Sequence, residues 1–344
     1  MKASVINEFG DVNVLKYEDV TTPTPRAGQV LVKVLAAGIN RFDHYIREGS
    51  ITTELIFPHI LGADAAGEVA ELGPGVNGLN VGERVVVVAG FPQAEADYDI
   101  YPASLAPSFT LPGLGRPGTY AQYVEIPARF VVRDETGLDP VEVATLPMVL
   151  ATAVRAVKEV GVVQRGDKVL VQAGASGSGS MQIQVAKALG ADDAATIRDV
   201  HKAGFVRQAG ADFIINTREQ DLNEGIKEWT GGAGVDVVID NIGGDVLRQS
   251  IDAAKPTGVI VAFGFTGGTE VAFDIRNFFF TQKQLRGSMG SDKRDLEFGL
   301  GLVQQGKILP LLDRTLSLDQ AAEAHRLIAN NEVAGNIVLL PWAA

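Results

Sequence analysis

The chain has 344 residues, 46% hydrophobic and 21% charged, with 39 glycines, no cysteine and a net charge of −12. That length suits about two domains. The acidity argues against a nucleic-acid partner, which would favour a basic face, and the lack of cysteine excludes disulfides and thiolate metal sites. No apolar run approaches the ~20 residues that span a bilayer, and MKASVINEFGD lacks the apolar core of a signal peptide. The expectation is a cytoplasmic protein without a membrane partner.

Residues 1 to about 90 read as β-rich. VLVKVLAAGI and ERVVVVAG are short β-branched runs, separated by Gly/Pro clusters such as VTTPTPRAGQ and ELGPGVNGLNVGE. One exit from these strands is unusual. In AAGINRFDHYIREG (36–49) an apolar run gives way to Asn40, Arg41, Asp43, His44, Tyr45, Arg47 and Glu48. The stretch is either a loop with a short solvated helix or the wall of an active site. Residues 91–118, rich in proline and without period, read as a long surface lobe. TYAQYVEIPARFVV then returns to strand character.

The pattern changes near residue 140, where PVEVATLPMVLATAVRAVKEVG reads as helical. From Lys168 strands and helices alternate: KVLVQAG, SMQIQVAKALG, AATIR, DVHKAGFVRQAG, DFIINT, DLNEGIKEWTGG, DVVIDNI, DVLRQSIDAAK, GVIVAFGF. Near-continuous apolar strands alternating with helices indicate an α/β, doubly wound parallel sheet. LRGSMG (285–290) supplies a last strand, with an edge suited to pairing between subunits. Two amphipathic helices, DLEFGLGLVQQGK and SLDQAAEAHRLIANN, precede a final strand, NIVLLP.

The sharpest motif is KVLVQAGASGSGSMQIQVAKALG, 168–190. A buried strand runs through Gly174 into Ala175, Ser176, Gly177, Ser178 and Gly179, and a helix follows at once. Small residues let the backbone approach a pyrophosphate, and the helix start offers free N–H groups and a positive dipole end. This context points to dinucleotide binding. An NAD site usually has an acidic residue at the end of the second strand. Here Arg198 stands there and Lys202 follows one turn later, which suits the 2′-phosphate of NADPH more than NADH, although Asp199 lies between them. The four histidines, His44, His59, His201 and His325, show no ligand spacing such as HExxH. Surface or packing histidines are the simpler reading, and His44 is expected to be solvated.

Together the β-rich start, LGADAAGEV (61–69), VGERVVV (81–87), GTYAQYV (118–124), the glycine turn, DNIGG (240–244) and AGNIVLLP resemble the medium-chain dehydrogenase/reductase superfamily. The resemblance implies a GroES-like β-rich catalytic domain, residues 1–145 and 289–344, with an inserted Rossmann domain, 146–288. In the zinc branch two Cys and one His bind the catalytic metal. The matching positions here are Asn40, Ala63 and Met148, of which Ala63 and Met148 are not plausible zinc ligands. The resemblance therefore implies no metal. GINRFDHYIREG and LGADAAGEV are similar to the quinone oxidoreductase branch, as is INTREQDL (215–222). Thr217 stands where that branch often has a Tyr near the 2′-phosphate, and Lys202 where it places its phosphate-binding Lys. The 91–117 lobe is longer than is typical of that branch, and the glycine turn is one residue shorter.

Without a Lewis acid, hydride transfer to a conjugated acceptor is easier than alcohol oxidation, because the negative charge spreads to a distant oxygen. The expected activity is NADPH-dependent reduction of a quinone or α,β-unsaturated carbonyl. As a hypothesis for that chemistry, Asn40 lies beside the nicotinamide, Tyr45 donates to the developing oxyanion, and Arg47 orients it or offers positive charge. Asp43 is expected to hold the loop by buried hydrogen bonds. Thr152, Asn241, Gly264, Phe265, Ser288 and Met289 are expected around the nicotinamide half. The alternatives are an enoyl-thioester (acyl-CoA) reductase and an NADPH-binding protein with a structural or regulatory role. The resemblance also implies a homodimer or homotetramer.

Overall fold

Apolar residues at every second position make the strand Gln29–Gly38 the spine of one unit: Val30, Val32, Val34 and Ala36 are all fully buried. The computed structural model describes residues 1–290 and 292–343, and the chain divides into two units. The first comprises Met1–Ala151, Gly290–Gln304 and Pro310–Ala344, the second Thr152–Met289 and Gln305–Leu309. Residues 305–309 go with the second because Gln184 bonds the Leu309 backbone twice: Nε2 donates to its carbonyl at 3.0 Å and Oε1 accepts its N–H at 2.7 Å.

In the first unit the spine pairs antiparallel with Ala66–Leu72, Tyr123–Pro127 and the C-terminal strand Asn336–Leu340. A strand not individually read from the sequence, Leu312–Ser317, joins Asn336–Leu340 in parallel. Lys2–Ile6 and Leu15–Asp19 form a smaller antiparallel sheet with His59–Ile60. The 91–118 lobe is more firmly seated than a surface loop. Phe91 is fully buried and stacks on Phe130 at 4.6 Å, and Phe91–Pro92 pairs with Phe109–Thr110.

The second unit is a six-stranded parallel sheet. Its order is Phe213–Asn216, Asp192–Ile197, Lys168–Val171, Val235–Asp240, Ala254–Ala262, Gln284–Gly287. Val169, Leu170, Val238 and Ile260 are fully buried at its centre. The first and fourth strands in chain order lie either side of a reversal: from Lys168–Val171 the chain winds one way through Asp192–Ile197 and Phe213–Asn216, then returns to add Val235–Asp240 on the other side. Such a switch point opens a crevice at the carboxyl ends of the strands. The segment read as one helix near 140–161 is broken, into Pro140–Val143, Pro147–Val154 and a π-helical turn Arg155–Val160. Pro147 explains the first break, since proline is accepted in the first turn of a helix but not inside one. Among the described residues no helix is long and apolar enough to cross a membrane.

Candidate active site

In the first unit the stretch after the spine folds into the helix Arg41–Glu48. Asn40 caps it in a reciprocal box: its backbone N–H donates to Asp43 Oδ2 at 2.8 Å, and its side chain faces the Asp43 N–H. The Asn40 amide Nδ2 donates to Asp64 Oδ2 at 3.0 Å, and the other Asp64 oxygen accepts the Met148 N–H at 3.0 Å. Asp43, 1% exposed, also accepts the Tyr120 hydroxyl at 2.8 Å. Both carboxyls are raised by burial, Asp43 to about 6 and Asp64 to about 8, against the pull of their hydrogen-bond donors. Burial, with Asp43 beside it, pushes the Tyr120 phenol well up.

Two expectations change here. Arg47 is not presented to a ligand. It is 1% exposed, and its guanidinium donates to the Gly10 carbonyl at 3.0 Å and to Glu48 at 2.9 Å, with Nη1 3.1 Å from His325 Nδ1. The residue lies on the inward face of its helix with Asp43 and Ile46, so its charge serves the interior. His325 is held neutral, near 3, by burial and by Arg47, which leaves Nδ1 as an acceptor. Nor is His44 solvated. Its side chain is 15% exposed, Nε2 lies 3.3 Å from Glu48, and burial lowers its pKa. Tyr45 is half-buried, and burial raises its phenol, so it stays protonated at neutral pH.

In the second unit Ser176 caps the helix Gly177–Leu189, its Oγ accepting the Gly179 N–H at 2.9 Å. The remaining first-turn N–H groups lack intrahelical partners. A Cβ on Gly179 would lie 2.3 Å from the Ala173 carbonyl oxygen, so the turn and the helix touch backbone to backbone. Ala175, Ser176, Gly177 and Ser178 are left at least partly open to solvent. At the end of Asp192–Ile197, Arg198 is exposed, while Asp199 turns back to cap Val200–Lys202 by accepting the His201 N–H at 3.0 Å. Thr217 donates its N–H to the Ile197 carbonyl, which sets it beside Arg198.

Two strands further on, Gly264 lies so near Asn241 that a Cβ would fall 1.9 Å from its carbonyl oxygen. Asn241 Oδ1 is buried without a hydrogen-bond partner. Phe265 is 42% and Met289 63% exposed, and the Ser288 N–H donates to the Ala262 carbonyl. Thr152 sits half-buried on Pro147–Val154. The tight glycine turn, the capped helix start and the orphaned Asn241 oxygen fit a dinucleotide laid along this crevice.

A chain of buried polar groups beneath the crevice escaped the sequence reading. The Ala173 N–H donates to Thr196 Oγ1, Thr196 to Gln172 Oε1, Gln172 to Ser250, and Ser250 to Asp240 at 2.6 Å. Asp240 also accepts the Ile242 and Gly243 N–H groups. It ties the glycine turn to the 240–243 turn across three strands. The available signal was a polar residue at or next to the end of each of three apolar runs, Gln172, Thr196 and Asp240. Asp64, Tyr120 and His325 were likewise missed as parts of the first-unit cluster. Among the described residues no three His, Cys, Asp or Glu side chains are grouped to hold a metal ion.

Two family models match: an alcohol dehydrogenase GroES-like domain over residues 26–136 and a zinc-binding dehydrogenase over 177–305. The chain is 33% identical to a 2-haloacrylate reductase of a Burkholderia species, covering 99% of each. It is 27% identical to a quinone oxidoreductase of Pseudomonas aeruginosa, covering 97% of each. Among solved structures, an NAD-dependent alcohol dehydrogenase superposes with a TM-score of 0.92 at 32% identity, covering 99% of each chain. A crotonyl-CoA carboxylase/reductase in complex with NADP superposes at 0.86 and 28% identity, covering 99% of this chain and 94% of that one. The chain belongs to the medium-chain dehydrogenase/reductase superfamily of oxidoreductases, in its quinone oxidoreductase-like branch.

Proposed function

We propose that this protein is an NADPH-dependent reductase that adds hydride to a quinone or an α,β-unsaturated carbonyl without a catalytic metal. The observation that carries the reading is the Asn40–Asp64–Met148 arrangement. Where the zinc branch has metal ligands, this chain has an amide and a backbone N–H committed to one carboxylate, and the methyl group of Ala63. A conjugated acceptor suits such a donor set, because its developing charge needs hydrogen-bond donors and not a Lewis acid. The cofactor, when bound, supplies the hydride.

The protein's own part is to hold both partners and to offer a proton. Tyr45 is the proposed donor to the acceptor oxygen, and its raised pKa keeps the proton in place until it is needed. Arg198, Lys202 and Thr217 are proposed to receive the 2′-phosphate. Asp199, folded onto His201, is less available to a ribose hydroxyl than an acidic residue at that place usually is. Asn40, Thr152, Asn241, Gly264, Phe265, Ser288 and Met289 are proposed around the nicotinamide half. We also propose a homo-oligomer built on the edge strand Gln284–Gly287. Leu285 on that strand is 39% exposed, and Phe280 before it 74%.

A second reading, reduction of an enoyl thioester, is favoured by the likeness to the crotonyl-CoA enzyme. Initial rates of NADPH oxidation at 340 nm, on chelator-treated protein, separate the readings. Turnover of a soluble quinone or a small enone supports the first, and turnover of an enoyl-CoA alone supports the second. Tight NADPH binding with no turnover of any acceptor supports a structural or regulatory role, and activity restored only by zinc overturns the metal-free reading.

A further inference from the structure

The Asn40 amide has two different ends, and the structure constrains which end faces which neighbour. At the helix start the Asp43 N–H, which donates to the Asn40 carbonyl at 3.1 Å, also faces the Asn40 side chain, and of the two ends of that amide only the oxygen can accept it. The amide nitrogen is thereby turned toward Asp64, where it donates at 3.0 Å. Asp64 meets a second donor on its other oxygen, the Met148 N–H at the start of Pro147–Val154. It is 2% exposed, and its own carbonyl accepts the Gly38 N–H at 3.2 Å at the end of the spine strand. One side chain thus meets a donor from each of two helix starts, and its backbone holds the strand that feeds the first.

We propose that Asp64 is a positioning residue: its carboxylate fixes the Asn40 amide with the oxygen toward the helix, and so sets the helix Arg41–Glu48 and the Tyr45 it carries. No contact between Asp64 and substrate is needed. The link to catalysis rests on the proposed role of Tyr45; the link to the helix does not.

The arrangement makes an exchange of side chains informative. In Asp64→Asn the new amide nitrogen must face either the Met148 N–H or the Asn40 Nδ2, donor against donor. Asn40 then flips, and its amide nitrogen faces the Asp43 N–H, donor against donor, leaving that N–H only the Asn40 carbonyl at 3.1 Å. In the double variant Asn40→Asp with Asp64→Asn every group is satisfied again. The carboxylate at 40 accepts both the Asp43 N–H and the amide at 64, whose oxygen accepts the Met148 N–H. Asn40→Asp alone sets two buried carboxylates face to face.

The experiment is amide hydrogen exchange across residues 41–48 in the full-length protein at pH 8.5, with thermal melts and steady-state kinetics alongside. Exchange in Asp64→Asn is expected to be faster by about tenfold, the scale of a lost helix cap, and to return to within about twofold of wild type in the double variant. Among kinetic constants, kcat of Asp64→Asn should fall about tenfold with KM for NADPH unchanged, a split that general destabilisation does not produce. If Asp64→Asn is insoluble, a soluble double variant supports the proposal and an insoluble one overturns it. Wild-type exchange in Asp64→Asn, or a double variant no better than either single, also overturns it. A wild-type protein that reduces no quinone or enone would refute the proposed activity, while the exchange data would still decide the role of Asp64.

Discussion

Gly179→Ala tests whether the glycine turn is shaped for a ligand or is merely permissive. A methyl group there would lie 2.3 Å from the Ala173 carbonyl oxygen and 2.9 Å from Gly174 Cα, about 1 Å short of ordinary contact. The obstacle is backbone, so no side chain can swing aside. The 173–175 turn must move off the helix start. Overpacking of this kind costs about 1–3 kcal/mol, and a shift of the turn removes the convergence of N–H groups on the phosphates. Scanning fluorimetry should show a melting temperature lower by a few degrees, at roughly 2–4 °C per kcal/mol for a unit of this size. Titration with NADPH should show a dissociation constant raised at least about tenfold, the equivalent of about 1.4 kcal/mol. Gly204→Ala is the control: it sits in the helix Ala203–Gln208 with nothing within 4 Å of its added methyl. It should be neutral or slightly stabilising, as alanine is the better helix former. A Gly179→Ala protein that melts and binds NADPH like wild type would refute the reasoning.

Arg198→Ala with Lys202→Ala should weaken NADPH by roughly tenfold or more, on the scale of lost charged hydrogen bonds, and leave NADH nearly unchanged; equal loss for both cofactors in a fluorescence titration would remove the 2′-phosphate role. Tyr45→Phe should lower kcat on the accepted substrate about a hundredfold, as loss of an oxyanion donor does, with NADPH affinity intact; unchanged turnover would mean that the phenol only packs. Asp193 is buried with neither carboxyl oxygen hydrogen-bonded, and burial, with Asp212 and Asp192 adding, raises it to about 8. Its folded pKa lies above the unfolded value of about 4. Folding therefore favours the protonated form, and the stability present below about pH 4 is lost as pH rises toward 8. Asp193→Asn should flatten the urea-midpoint curve over that window and exceed wild type at pH 8, whereas parallel curves would contradict the burial argument.

Local chemistry was legible along the chain wherever one segment carries the whole signal. Alternating apolar runs marked the β-rich start, and strand–helix alternation marked the parallel sheet from Lys168. The run from Gly174 to Gly179 announced its turn because tight backbone approach needs small side chains, a property of the residues themselves. Arg198 at a strand end was readable for the same reason. Pairings between distant segments were not. Arg47 looked like a ligand-facing cation because sequence gives its charge but not its helix face. Only packing turned it toward Gly10 and His325, 278 residues away. Asp64 looked like one residue of a motif, and the fold made it the meeting point of Asn40 and Met148. The Thr196–Gln172–Ser250–Asp240 chain joins three strands and a helix that are adjacent only in the sheet. Composition and periodicity determined which segments are buried; tertiary structure alone decided which buried polar groups satisfy one another, because a hydrogen bond depends on position and direction in space and leaves no period in the chain.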